Sequence, residues 1–152
     1  MRTFLAQLNI AEMRYHADDP QMADFINALD EVNAAAEQAP GFIWRLKDDS
    51  NNATDIRIFG RDDLLVNLSM WESVVALRNY VVSDVHMKIM RRRAEWFLGA
   101  KQANLVMWWQ ASNEVPSVEL AESKLQYLRN HGSSPAAFDF KTPFPPPKDD
   151  PG

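Results

Sequence analysis

Three segments of the chain alternate in a way that predicts β-strands, and in each segment both sets of alternate residues include apolar side chains. The segments are FLAQLNIA at 4–11, LLVNLSMW at 64–71 and NLVMWWQA at 104–111. Successive side chains of a strand point to opposite faces of a sheet, so a period of two residues is typical of strands. A sheet made of these segments therefore has two apolar faces that must be covered.

The intervals between these strands carry helical periodicity. The first predicted helix begins at Asp18 or Asp19, has Pro20 at its first position and ends before Pro40 and Gly41. The other predicted elements are a short strand at 42–46, a mobile loop or hairpin at 47–63, and helices at 74–82, 85–98 and 116–132. This order predicts an α+β domain of ferredoxin-like type, with a four-stranded antiparallel sheet and helices on one face.

A single layer of helices covers only one face of such a sheet. Because an exposed apolar sheet face is an association surface, we expect a homodimer in which two sheets pack face to face. The domain is expected to span residues 1–134. A proline-rich arm at 135–152 is expected to lie on a surface and then to fray.

Composition and charge argue against several classes of function. The formal net charge is -5, and this disfavours nucleic acid as a partner, because such binding depends on cations that neutralise phosphates. No apolar stretch of about 18 residues is present, so no membrane partner is expected. The chain has no cysteine, which is compatible with the cytoplasmic location that we expect. No glycine-rich nucleotide motif occurs and the three histidines are far apart, so neither a nucleotide cofactor nor a metal is predicted.

The segment SDVHMKIMRRRAEWF at 83–97 predicts one continuous helix whose apolar side contains a histidine and an arginine. At about 100° per residue, His86 and Arg93 lie two turns apart within the arc of the apolar residues. Buried polar groups need partners, because burial removes their hydration. One set of alternate strand residues is predicted to provide such partners: Gln7, Asn9, Arg45, Asn67, Ser69, Trp71 and Gln110.

Together these residues predict a small-molecule pocket between the helices and the sheet, mostly apolar with a few polar groups. The predicted catalytic residues are His86 and Arg93. The predicted substrate-binding residues are Asn9, Asn67, Trp71, Met90, Phe97 and Trp108. The alternative interpretation is structural: a histidine on an apolar helix face is commonly a satisfied core residue, and the stem of Arg93 is long enough to reach the surface.

The segments LAQLNIAE, LVNLSMWESVVALRNYVVSDVHMKIMRRRAEWF and NLVMWWQ together resemble a domain-of-unknown-function family of the dimeric α/β-barrel superfamily. The resemblance implies a ferredoxin-like protomer, a homodimer, and relatives among the antibiotic-biosynthesis and haem-degrading monooxygenases. In the haem-degrading relatives a tryptophan ends the third strand, as Trp71 does here, and a first-strand asparagine lies near the place of Asn9 or Gln7. Their haem-ligating histidine falls on Met90 of this sequence, with His86 one turn earlier.

Three functions are compatible with this predicted site. The first is a monooxygenase-like oxidoreductase without a bound cofactor, acting on a hydrophobic or aromatic metabolite; His86 removes a proton and Arg93 stabilises the resulting anion. The second is a haem-binding or haem-degrading protein with His86 as axial ligand. The third is a dimeric protein that binds a small molecule without catalysis.

Overall fold

A four-stranded antiparallel sheet forms the centre of the protein, in a computed structural model that describes residues 2–47 and 57–148. The strand order is β2-β3-β1-β4. The strands are β1 (Thr3–Glu12), β2 (Phe42–Arg45), β3 (Leu64–Trp71) and β4 (Leu105–Ala111). The helices are α1 (Ala23–Gln38), α2 (Val74–Val81), α3 (Asp84–Met90), α4 (Arg93–Trp96) and α5 (Val118–His131). This order and connectivity confirm the predicted α+β, ferredoxin-like fold. Most of the predicted loop at 47–63 lies outside the described residues.

Short polar residues fix the helix starts. Asp19 accepts a hydrogen bond from a backbone N–H two residues on, at the start of the 3-10 turn that leads into α1. Ser73 and Ser117 accept from the N–H three residues on, at the starts of α2 and α5. Such caps satisfy N–H groups that have no partner within the helix. Gly132, with φ 75°, ends α5.

The register of the strands divides their side chains between two faces. On β1, Leu5, Gln7 and Asn9 point to one face, which we call the α1 face, and Ala6 and Leu8 point to the other, which we call the α5 face. Cross-strand pairs carry this division across the sheet, since the partners are Leu5–Trp71, Gln7–Ser69 and Asn9–Asn67 on β3 and Leu5–Trp109, Gln7–Met107 and Asn9–Leu105 on β4.

Helix α5 of the same chain covers the second face, so the expectation that helices lie on one face only is wrong. Leu125 of α5 is 0% exposed and packs in one cluster with Leu8, Val66 and Val106 of the α5 face. The sequence pattern correctly predicted two apolar faces, but the last helix crosses to the far side instead of joining the first layer. The homodimer stays a prediction, and an uncovered sheet face no longer supports it.

The α1 face is covered by α1, α2 and the start of the arm. Ala36 of α1, Leu77 of α2 and Phe138 of the arm pack in one cluster with Leu5 and Trp71 of the sheet. Because Phe138 is 0% exposed, the first arm residues belong to the core of the fold. The arm's last residues, 149–152, lie outside the described residues.

The packing of α5 makes a stability prediction. Replacing Leu125 by Ala leaves a cavity against the sheet, and we expect the free energy of unfolding to fall by about 2–5 kcal/mol. The exposed neighbour Gln126 provides the matched control, since Gln126→Ala should change the free energy by at most about 0.5 kcal/mol. Urea unfolding measures both. Equal effects of the two substitutions would contradict the docking of α5 on the sheet.

Candidate functional site

The segment predicted as one helix at 83–97 is broken after Met90. Helix α3 ends there and α4 begins at Arg93, and in between the N–H of Arg92 donates to the carbonyl of Ile89, three residues back. A three-residue turn of this kind rotates the following residues relative to an α-helix, so one helical wheel cannot describe both halves.

Arg93 is exposed, so its predicted place inside the pocket is wrong, and the inward pair of His86 and Arg93 does not form. The adjacent Arg92 stabilises the break instead. Its guanidinium lies 2.9 Å from Asp24 of α1 and 2.8 Å from Glu95, and it stacks over the Trp96 ring at 4.8 Å. These contacts join α4 to α1 beside the exposed Arg93.

His86 is half-buried and faces Tyr80, not the strands. Its ring meets the Tyr80 ring edge-on with centroids 5.2 Å apart, and Nδ1 lies 2.9 Å from the carbonyl oxygen of Val81. A carbonyl only accepts hydrogen bonds, so Nδ1 carries a proton and the neutral ring has its lone pair on Nε2. Burial lowers the pKa of His86, although the hydrogen bond to Val81 partly opposes this shift.

Tyr80 connects His86 to the sheet. Its ring stacks on Trp71 with centroids 5.3 Å apart and planes 26° apart, and its hydroxyl donates to the carbonyl of Val32 in α1 at 3.0 Å. Burial raises the pKa of Tyr80 to about 12. Tyr80 therefore stays a neutral hydroxyl and separates His86 from the strand residues.

Four of the predicted polar partners do assemble on the α1 face. Gln7, which is 4% exposed, donates through Nε2 to Asn67 Oδ1 at 2.6 Å and to Ser69 Oγ at 2.7 Å. Ser69 Oγ also accepts from the Trp71 indole at 2.9 Å. We call these four residues, Gln7, Asn67, Ser69 and Trp71, the polar cluster.

The direction of these bonds determines what the cluster presents. Both N–H groups of Gln7 are used, and the oxygen of the Asn67 side-chain amide accepts one of them. The free end of that amide is therefore Nδ2, which carries two donors. Asn67 is exposed and lines a cavity, so the cluster presents N–H donors there.

This cavity lies between α1 and strands β2 and β3. It has a volume of about 50 Å³, and its lining includes Leu29, Asn33, Arg45, Leu65 and Asn67. The Arg45 side chain is 8% exposed and its guanidinium lies 3.4 Å from Glu37 of α1. The cavity thus combines a buried cation, two amides and apolar side chains, and its donors suit a ligand oxygen that is negative or only accepts hydrogen bonds.

The remaining predicted residues are dispersed. Asn9 is half-buried on the α1 face beside Asn67. Met90 is half-buried on α3. Phe97 packs edge-on against Phe25 at 5.0 Å, away from the polar cluster.

Trp108 and Gln110 lie on the α5 face, which corrects their predicted place beside the other polar residues. The pairing of Leu5 with Trp109 sets the register, and a shift of one residue moves a side chain to the opposite face. The Trp108 indole donates to Gln110 at 2.9 Å, so these two residues satisfy one another away from the cavity.

Asn33 is a polar residue of the cavity lining that the sequence reasoning missed. It follows Phe25, Ile26 and Leu29 on the apolar stripe of α1, four residues after Leu29. A polar residue on an apolar stripe was the signal used for His86, and the same test applied to α1 would have found Asn33.

The residues present do not fit haem. His86 donates from Nδ1, which would leave Nε2 for a haem iron, as in known histidine ligands. The Tyr80 ring, however, lies between the His86 ring and Trp71, where the macrocycle would have to lie. Within residues 2–47 and 57–148, no group of three or more His, Cys, Asp or Glu is arranged to hold a metal ion.

The strand order and the helices define an α+β protein with a ferredoxin-like, four-stranded antiparallel sheet. A family model described as a domain of unknown function, DUF3291, matches residues 4–151. The chain belongs to this family, which confirms the resemblance found in the sequence. None of the curated proteins matches the sequence.

Solved structures from several bacteria and an archaeon share the fold. A conserved protein from Methanosarcina mazei Go1 has a TM-score of 0.51 at 13% identity, covering 70% of this chain and 91% of its own. A protein of unknown function from Nitrosomonas europaea has a TM-score of 0.50 at 14% identity, covering 76% and 96%. A Caulobacter crescentus CB15 protein, provisionally named an antibiotic biosynthesis monooxygenase, has a TM-score of 0.50 at 14% identity, covering 74% and 92%. At these identities the similarity shows the fold alone.

Among residues 2–47 and 57–148, none of the helices combines the length and the apolar composition that a membrane span requires.

The lowered pKa of His86 predicts a pH-dependent stability. The unfolded chain takes up the His86 proton near pH 6.5, about the ordinary value, while the folded protein takes it up at lower pH. Between these values the unfolded state binds more protons, so stability is lost as the pH falls below about 6.5. His86→Asn keeps an N–H donor for Val81 without the titration, so the wild type should lose stability relative to this variant.

Urea unfolding of both proteins at about pH 7.5 and about pH 5.5 measures this difference. A stability difference that stays the same at the two pH values would contradict the burial of His86. An NMR titration of the His86 ring reports the same pKa directly.

Proposed function

We propose that the protein is a monooxygenase-like oxidoreductase that acts on a hydrophobic or aromatic metabolite without a bound cofactor, at the cavity between α1 and the sheet. The observation that supports this most is the fixed orientation of the polar cluster. Gln7 directs the oxygen of Asn67 inwards, so that donors of Asn67 face the cavity beside the buried guanidinium of Arg45.

This arrangement favours a substrate oxygen that becomes negative. Donors whose orientation is fixed before the reaction stabilise such charge more strongly than water does, because they need not reorganise. Arg45 takes the role that the sequence analysis assigned to Arg93, since Arg45 is buried in the cavity wall and Arg93 is exposed. A phenol or an enolisable ketone bound here ionises more readily.

The proposed reaction balances without a cofactor. The ionised substrate gives an electron to dioxygen, and the two radicals then combine. When the reacting carbon is an activated CH₂ group, one oxygen atom of O₂ forms its new carbonyl and the other leaves as water with the two hydrogens. The substrate supplies all four electrons, so no flavin, metal or added reductant is required.

His86 does not line this cavity, and Tyr80 separates it from the polar cluster. A binding protein without chemistry is therefore the second candidate. That function is favoured by the absence of an aspartate, glutamate or histidine from the cavity lining among the described residues. The reaction and the binding need separate tests.

Binding of an aromatic anion tests the site. With 8-anilinonaphthalene-1-sulfonate as the probe, we expect Arg45→Gln to raise Kd by about 10- to 100-fold, because the variant loses a charge-assisted hydrogen bond. The matched control is Arg93→Gln, which should change Kd by less than about twofold. A fluorescence titration gives both values, and a larger effect at Arg93 would refute the cavity as the site.

Oxygen incorporation tests the chemistry. An aryl ketone with an activated CH₂ group, incubated with the protein under ¹⁸O₂, should yield a product with one labelled oxygen, detected by mass spectrometry. Arg45→Gln should reduce the initial rate by about tenfold or more. If the wild type binds the ketone but oxygen uptake equals that of buffer, the protein is a binding protein and not an oxygenase.

A further inference from the structure

Two residues of the polar cluster, Gln7 and Ser69, belong to one row of side chains that crosses the whole sheet. Ser69 pairs with Arg45 on one side and with Gln7 on the other, and Gln7 pairs with Met107. Met107 in turn forms a bridge with Phe138 of the arm. The row is thus polar at the Arg45 end and apolar at the arm end, and all five of its residues are at most 9% exposed.

The cavity at the polar end is too small for a whole aromatic metabolite. Its volume of about 50 Å³ holds a few atoms, whereas pockets for drug-sized ligands occupy about 300–1,000 Å³. The rest of such a ligand needs apolar space along the same row. The row leads towards Met107 and the arm, so that space must come from a segment that moves away from the apolar end.

The arm is held against the sheet by a few hydrogen bonds and by ring contacts. We call residues 138–144 the strap. At its beginning, Phe138 exchanges two hydrogen bonds with Met107, at 2.7 and 2.9 Å, and at its far end the Trp109 indole donates to the carbonyl of Phe144 at 2.9 Å. Between these points the Phe140 ring lies 5.5 Å from the Arg78 guanidinium.

The strap also resembles a ligand in its chemistry. Phe138, Phe140 and Phe144 all pack against the cluster of Leu5, Trp71 and Met107 on the α1 face. Three aromatic rings of the chain itself thus occupy the apolar surface that continues from the polar cluster. Pro143 stiffens the segment just before Phe144 and favours movement of the far end as a unit.

We infer that the strap is a releasable cover of the α1 face, latched by the hydrogen bond from the Trp109 indole to the Phe144 carbonyl, and that its release opens the apolar end of the ligand site. The identity of the ligand rests on the proposed function, whereas the release of the strap does not. The aromatic rings of the strap and an aromatic ligand cannot occupy the same surface at the same time.

The latch can be removed with little change in shape. Trp109→Phe keeps an aromatic ring and loses the indole donor, and a typical hydrogen bond corresponds to an approximately 2- to 12-fold change in an equilibrium. The amide of Met107 reports the release, because its N–H donates to Phe138. We expect Met107 to exchange with solvent deuterium about 3- to 10-fold faster in the variant, relative to the core amide of Leu8.

A neighbouring tryptophan gives the matched control. Trp108→Phe also removes an indole donor, but that donor bonds Gln110 on the α5 face, so the ratio of Met107 to Leu8 exchange should stay unchanged. Phe140→Leu provides a second loosening variant that leaves the latch intact. It removes the ring beside Arg78, and we expect a smaller increase, of about 2- to 5-fold.

The association rate of 8-anilinonaphthalene-1-sulfonate, measured by stopped-flow fluorescence, completes the test. It should rise in Trp109→Phe by the same factor as the Met107 exchange. Unchanged Met107 exchange, or faster exchange without faster association of a probe that binds, would overturn the inference. If the probe binds neither protein while Met107 exchange accelerates, the release of the strap is supported and the proposed site is refuted.

Discussion

The side chain of Gln7 is the interaction on which the arrangement of the α1 face depends. It is buried in the middle of the central strand, where an unpaired amide would be costly. Both of its N–H groups are therefore directed to β3, and they fix the orientation of Asn67 and Ser69. Ser69 in turn holds the Trp71 indole, which places the ring against Tyr80. One amide thus orients the residues from the cavity to the helix layer.

The fold was largely predictable from the sequence. Three kinds of local signal agree with the final structure. They are the alternation in three strands, the prolines and glycines that end helices, and the serine or aspartate residues that cap helix starts. The face of the sheet on which α5 packs was not predictable in this way. The sequence of an amphipathic helix shows which of its sides is apolar, but not which face of the sheet that side covers. The burial of Leu125 was implied by the pattern, whereas its partners were not.

The candidate site was predictable in part, and the strands were more informative than the helix. Strand parity correctly grouped Gln7, Asn67 and Ser69, because a period of two residues tolerates no drift within a strand. The helix wheel failed at Arg93 because a single three-residue turn after Met90 changed the angle of every later residue. Of the two ion pairs that Arg92 makes at this turn, the one to Asp24 joins positions far apart in the sequence, and no local pattern reveals it.

The position of α5 bears on how the fold responds to dilution. A sheet whose second face was hidden only by another protomer would be stabilised by association, and its unfolding midpoint would shift with protein concentration by mass action. Here Leu125 and its neighbours hide that face within one chain. The protomer therefore does not need a partner to hide this face, and a homodimer, where it forms, adds its own association energy to a sheet that is already covered.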